Sequence, residues 1–149
     1  MQQRYLIAAA AAVSLFSVGS LQQGAAAAVS PAPSISFQPG NPVQDGSTVT
    51  VRTSDFPADS ELDVFQCNGA AAPNVVCSTA APLTLVSNQA GAASGTTTLS
   101  RKFDGTDDQG EPVAIDCAVS QECVLVAVTV DQDDEFSAVT KLSFSTDQR

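Results

Sequence analysis

Apolar and polar residues alternate along short stretches of this chain, with turn residues between them. Ile35 and Phe37 alternate with serine inside a proline-punctuated segment, "SPAPSISFQPGNPVQDGS", as in an edge strand. "DGS" (residues 45–47) reads as a turn, and "TVTVR" places Val49 and Val51 on one face. "ELDVFQC" alternates again, with Leu62 and Val64 on one side and Phe65 and Cys67 on the other. Further strands are expected at residues 83–86, 96–103, 113–117, 123–130 and 139–145, separated by turns rich in Gly, Asp, Asn and Pro. No segment beyond the N-terminal leader carries a helical period of useful length. Roughly seven or eight short strands at this spacing point to an all-β, antiparallel sandwich.

One strand breaks the alternation. "CVLVAVTV" (residues 123–130) is apolar at nearly every position, so both of its faces need cover. One face can pack in the sandwich core. The other calls for the protein's own hairpins, a ligand or a partner.

The N-terminus follows a different pattern. "MQQR" supplies one positive charge, residues 5–21 form an apolar run rich in alanine, and "QQGAAAA" ends in small residues suited to cleavage after Ala28. Residues 1–28 therefore read as a cleaved signal peptide, and residues 29–149 as a single secreted, extracellular domain. Ser and Gly interrupt the apolar run, and polar, proline-rich chain follows it, which argues against a membrane anchor.

Charge narrows the partners. The whole chain carries a net charge of −10, with 6 basic and 16 acidic residues. Such a surface repels phosphate backbones and anionic lipids, so neither direct nucleic-acid binding nor a membrane surface is expected. The expected state is a soluble monomer.

Four cysteines, Cys67, Cys77, Cys117 and Cys123, lie in the exported part. An even number there implies disulfides, and spacing favours the local pairs Cys67–Cys77 and Cys117–Cys123 among the three possible pairings. Zinc fits poorly, because neither spacing is that of a zinc knuckle and the chain has no histidine. The same lack of histidine, with the cysteines oxidised, leaves the serines and threonines without an evident general base, so no enzyme is expected. Two acidic runs, "DGTDDQGE" (104–111) and "DQDDE" (131–135), resemble calcium loops only loosely. With Asp104 first, Gln109 stands where the loop needs glycine and Ile115 where it needs the final Glu. They read as solvated hairpin tips, and no metal is expected.

Five pieces, in order, resemble the neocarzinostatin-type apoproteins of enediyne chromoproteins. "PSISFQPGNPVQDGSTVTV" (33–51) resembles the family's opening strand, turn and second strand, and "QC" with a second cysteine ten positions on its first disulfide hairpin. "RKFDG" (101–105) resembles an Arg-Arg/Ser-Phe-x-Gly strand, "VAIDC" followed by "CVLVAV" the second disulfide, and "AVTKLSFS" the closing strand. The resemblance implies an immunoglobulin-like seven-stranded antiparallel sandwich with a small ribbon subdomain. It further implies a carrier whose cleft noncovalently holds and shields a small hydrophobic, enediyne-type chromophore; the released chromophore, not the polypeptide, would attack DNA. No other cofactor is implied.

Carried across by position, the family's cleft falls on Phe65, Cys67 and Cys77, with Val75 on the returning arm, Leu83, Phe103 and Asp108 of the ribbon region, and Val124, Val126 and Val128 on the second disulfide strand. This chain departs from the best-known pattern. Phe65 replaces a glycine, Gly69 replaces a tryptophan, Thr106, Asp107 and Asp108 replace ribbon aromatics, and the three valines replace polar or glycine positions. These exchanges imply a smaller, more aliphatic site, crowded by Phe65 and Val126 and less suited to a large flat polyene. The competing reading is an immunoglobulin-like interaction module that has lost its ligand.

Overall fold

The alternation becomes nine strands among the residues described by a computed structural model, namely 29–71, 73–118, 122–130 and 135–146. The leader reading for residues 1–28, and positions 131–134 of the second acidic run, lie outside the described residues. The strands are β1 (Ser34–Gln38), β2 (Thr48–Ser54), β3 (Glu61–Asn68), β4 (Leu83–Val86), β5 (Ala93–Thr98), β6 (Lys102–Thr106), β7 (Pro112–Asp116), β8 (Cys123–Thr129) and β9 (Ser137–Leu142). A three-stranded sheet, β1-β2-β5, faces a four-stranded sheet, β4-β3-β8-β9, and β6-β7 forms a separate two-stranded ribbon. All these pairings are antiparallel. The fold is thus a seven-stranded sandwich with a ribbon beside it.

Parity explains the core. Val49 and Val51 of β2, Leu62 and Val64 of β3, and Leu125 and Ala127 of β8 point between the sheets and are all buried. On the opposite face of the four-stranded sheet, Phe65, Val126 and Val139 stand directly across from one another in successive strands. Val124, Val126 and Val128 are half-buried there, so the second face of β8 is only partly covered. The disulfides are Cys67–Cys77 and Cys117–Cys123. Among the described residues no helix is long and apolar enough to cross a membrane.

The stretch 96–103, expected as one strand, is two. Its first half ends in β5 and its second begins β6, in a different sheet. Three long-range contacts cause the break. Leu99 is buried in the core and exchanges backbone hydrogen bonds with the 46–47 turn: Gly46 N–H donates to its carbonyl, and its own N–H donates to Ser47. The Arg101 N–H then donates to Asp45 Oδ1 at 2.7 Å. Between them, Ser100 is held by the Gln66 side-chain amide. The final strand is also shorter than expected: β9 ends at Leu142, and Phe144 bridges in parallel to Val43 across the sandwich.

Candidate ligand cleft

The cleft forms where β3 leaves the sandwich. Leu62, Val64 and Gln66 share one face of β3, so the apolar stripe ends in an amide. Gln66 uses both ends of that amide on one residue: its Nε2 donates to the Ser100 carbonyl at 2.5 Å, and its Oε1 accepts the Ser100 N–H at 3.2 Å. The β5–β6 connection is thereby tied to β3.

The chain returning from the first disulfide ties β3 to the ribbon. Asn68, almost fully buried, accepts the Val76 N–H on its side-chain oxygen and donates from its Nδ2 to the Asn74 carbonyl. The Asn68 N–H donates to the Val76 carbonyl, and the Ser78 N–H to the Gln66 carbonyl at 2.8 Å. One residue later the Thr79 N–H donates to the Asp104 carbonyl of β6 at 3.0 Å, and Ser78 bridges Gly105. Gly105 permits this approach, because a Cβ there would lie 2.5 Å from the Cys77 carbonyl oxygen. Residues 76–79 therefore act as a short linking strand between sandwich and ribbon.

Around this junction lies an open cleft of about 430 Å³, within the range of roughly 300–1,000 Å³ usual for small-molecule sites. Phe65, Leu83, Phe103 and Leu125 give it apolar walls, and Thr97, Thr98, Ser78 and Ser100 bring hydroxyl groups. Such a surface can bury a flat or aliphatic body and orient it by a few hydrogen bonds.

Charge sits at the rim. Asp116 of β7 lies 3.4 Å from Arg101 Nε and 3.5 Å from Lys102 Nζ. The Arg101 Nε is sealed from solvent and makes no hydrogen bond, so this contact is a charge pair without hydrogen-bond alignment. The Ala118 N–H donating to Asp116, followed by the two cations, holds its carboxyl below the usual carboxylate range against an opposing effect of burial. Lys102 is thus committed to the ribbon's own carboxylate. Asp104 lines the cleft and is exposed.

The residues expected at the cleft fall into two groups, because register sets Phe65 and Cys67 opposite Val126 and Val124 on one face of β3 and β8. Phe65, Leu83 and Phe103 line it. Cys67 and Cys77 form the base of the arm that leads into the Ser78 wall, with Cys67 fully buried. Val124, Val126 and Val128 do not line this cleft; strand parity puts them on the outer face of the sheet, where Val126 lies opposite Phe65. Val75 is 40% exposed on the arm and Asp108 is exposed at the ribbon tip. Gly69 stands where its backbone packs against the Glu122 carbonyl, so a side chain there would collide with main chain. Phe65 is among the residues lining this cleft, and Val126 is not.

Two residues were missed in the sequence. Gln66 carried a signal, being polar on an otherwise apolar stripe, the mark of an inward amide with a partner to find. Asn68 was masked by the turn-like "NG" dipeptide, although it is the last residue of β3. Of the two acidic runs, 104–111 is the β6–β7 hairpin, where Asp107 Oδ1 accepts the N–H groups of Gln109 and Glu111. Among the described residues no group of three or more His, Cys, Asp or Glu side chains is placed to hold a metal.

Comparison with known proteins agrees with this geometry. The chain's fold is similar to that of macromomycin, with a TM-score of 0.64 at 19% identity over 76% of this chain and 100% of that one. It is also similar to the solution conformation of apokedarcidin, with a TM-score of 0.52 at 26% identity over 77% of this chain and 100% of that one. No curated protein sequence matches it. The neocarzinostatin family model matches residues 35–144, well over half of the sequence, and includes both disulfides and every wall of the cleft. The chain belongs to the neocarzinostatin family.

Proposed function

We propose that residues 29–149 form a secreted carrier that holds a small hydrophobic, enediyne-type ligand noncovalently in this cleft, residues 1–28 being its cleaved leader. The observation that carries the reading is the open cleft of about 430 Å³ at the sandwich–ribbon junction of a neocarzinostatin-family chain. Phe103, Leu83 and Leu125, with Phe65 at the border, supply apolar surface for the ligand body, and the hydroxyls of Thr97, Thr98 and Ser100 orient its polar groups. Removing a reactive ligand from water and nucleophiles is work for a wall, and it needs no acid, base or cofactor from the protein.

The carrier works as a monomer. Its acidity keeps the polypeptide itself off DNA, so any damage to DNA belongs to the released ligand. The sole tyrosine is Tyr5, in the leader, and tryptophan is absent. Protein secreted by its own producer is therefore expected to show near-ultraviolet absorption beyond the phenylalanine bands, together with a small-molecule mass in native mass spectrometry. A colourless preparation of bare chain mass would overturn the carrier reading.

One observation favours a second reading, an immunoglobulin-like interaction module. Val139 is 61% exposed and continues the row from Phe65 and Val126 on the outer face, where Val86 is 65% exposed. Such a module would bind a protein partner through this row and carry no ligand.

A further inference from the structure

At the other end of the seam between β4 and β5 lies a second groove of about 430 Å³. Both strands are sheet edges, and the groove begins where Val86 and Ala93 stand, away from the Leu83 and Thr97 that border the ligand cleft. Its chemistry differs from that of the first. Arg52, Asn88 and Ser94 provide polar groups, Val86, Ala92 and Ala93 provide apolar surface, and no carboxylate lines it. In a chain of net charge −10, a wall without acid is notable chiefly for the cation it contains.

That cation is free. Arg101, Lys102 and Lys141 each pair with a carboxylate, whereas Arg52 has no ion-pair partner among the described residues. Arg52 stands on the exposed face of β2 between Ser36 and Ser94, so its immediate neighbours across the strands are hydroxyls. Asn88 spends its side-chain oxygen on the N–H groups of Ala90 at 2.9 Å and Ala92 at 3.0 Å. Its amide nitrogen is left as a donor, since no acceptor for it occurs among the described residues. The Thr53 hydroxyl, by contrast, is already shared with the Ala93 backbone.

We infer that this groove binds a small organic carboxylate bearing a short aliphatic group. A guanidinium presents two parallel N–H donors that match a carboxylate, and the Asn88 amide and Ser94 hydroxyl add donors beside it. Orientation follows from charge. The nearest acid by register is Glu61, directly across from Val86, so the carboxylate lies at the Arg52 end and the aliphatic group against Val86, Ala92 and Ala93. The site is separate from the ligand cleft and does not depend on the carrier reading.

Isobutyrate is the probe, and isobutyramide its uncharged counterpart. In two-dimensional amide NMR of the protein, isobutyrate is expected to give saturable shifts at Asn88, Ala93 and Ser94 in the millimolar range, and isobutyramide none. Arg52→Gln should weaken isobutyrate about tenfold, the share of a charge-assisted hydrogen-bonded pair, while Arg52→Lys should retain part of the response. An equal response to both probes, no saturable shift with isobutyrate, or an unchanged titration in Arg52→Gln would overturn the assignment. Arg52 is exposed, so the variants should keep the native spectrum elsewhere; should either fail to fold, the contrast between the two probes on the unaltered protein decides alone.

Discussion

In the sandwich, Val51, Leu62 and Ala127 are fully buried and meet other apolar side chains across the two sheets. At the ribbon junction, Phe103 and Ile115 reach only the edge of that core, and polar bonds tie the chain to β3: Gln66 to Ser100, Ser78 to Gln66, and Thr79 to Asp104. The difference separates stability from function. Burial of apolar surface fixes the sandwich as one cooperative unit, while the cleft opens at the place where hydrogen bonds and a disulfide take over. For the proposed carrier, this division would let the cleft walls adjust or open without disturbing the core.

The strongest test of that contrast is a core truncation. Leu62→Ala should lower global stability by about 2–5 kcal/mol, seen as a lower denaturant midpoint in far-ultraviolet circular dichroism, with all strands lost together. Next comes the first disulfide. Replacing both Cys67 and Cys77 with serine should cost about 2–3 kcal/mol on the loop-closure account. The amides of Ser78 and Thr79 should then exchange with solvent faster than those of β2. If core and junction amides instead lose protection equally, the two regions are a single unit.

A smaller and more local effect is expected at Gln66. Gln66→Leu leaves the exposed Ser100 N–H and carbonyl to water, at a cost of about 0.5–1.5 kcal/mol. Hydrogen exchange at Ser100 should quicken while Leu62 and Leu125 stay protected. Smallest is the charge cluster. The Asp116 carboxyl is held below its ordinary range, so the folded state binds its proton less readily than the unfolded chain does. Its contribution is fully present above the ordinary carboxylate pKa and is lost as pH falls through the depressed value. Asp116→Asn should therefore lower stability slightly at neutral pH and leave it unchanged below the depressed pKa, flattening the acid limb of the stability–pH curve; the effect is small because solvent screens this partly exposed cluster.

These two regions were unequally legible in the sequence. The sandwich could be read because its physics is local: alternation at Ile35 and Phe37, Val49 and Val51, and Leu62 and Val64 assigns faces without knowledge of the partner strand. Cysteine spacing likewise favoured both disulfides. The junction could not be read in this way. Residues 96–103 look continuous by themselves, and the break between β5 and β6 is imposed by Asp45 and Gln66, more than thirty residues away in sequence. The arm residues Ala80, Ala81 and Pro82 gave no chemical signal, yet they form part of the cleft wall. Positions carried over from the resemblance fall in two places. Phe65, Leu83 and Phe103 border the cleft, while Val124, Val126 and Val128 face outward beside Phe65. Gly69, read as a lost stacking position, is instead held by main-chain contact with Glu122.

The most direct test of a ligand at the sandwich–ribbon junction is native mass spectrometry of three proteins secreted by the producing organism: the unaltered chain, Phe103→Ala and Val126→Ser. The unaltered chain and Val126→Ser are expected to carry the same small-molecule mass, and Phe103→Ala to lose it while remaining folded by circular dichroism. Bare chain in all three, or a ligand kept by Phe103→Ala and lost from Val126→Ser, would contradict a binding site in this cleft.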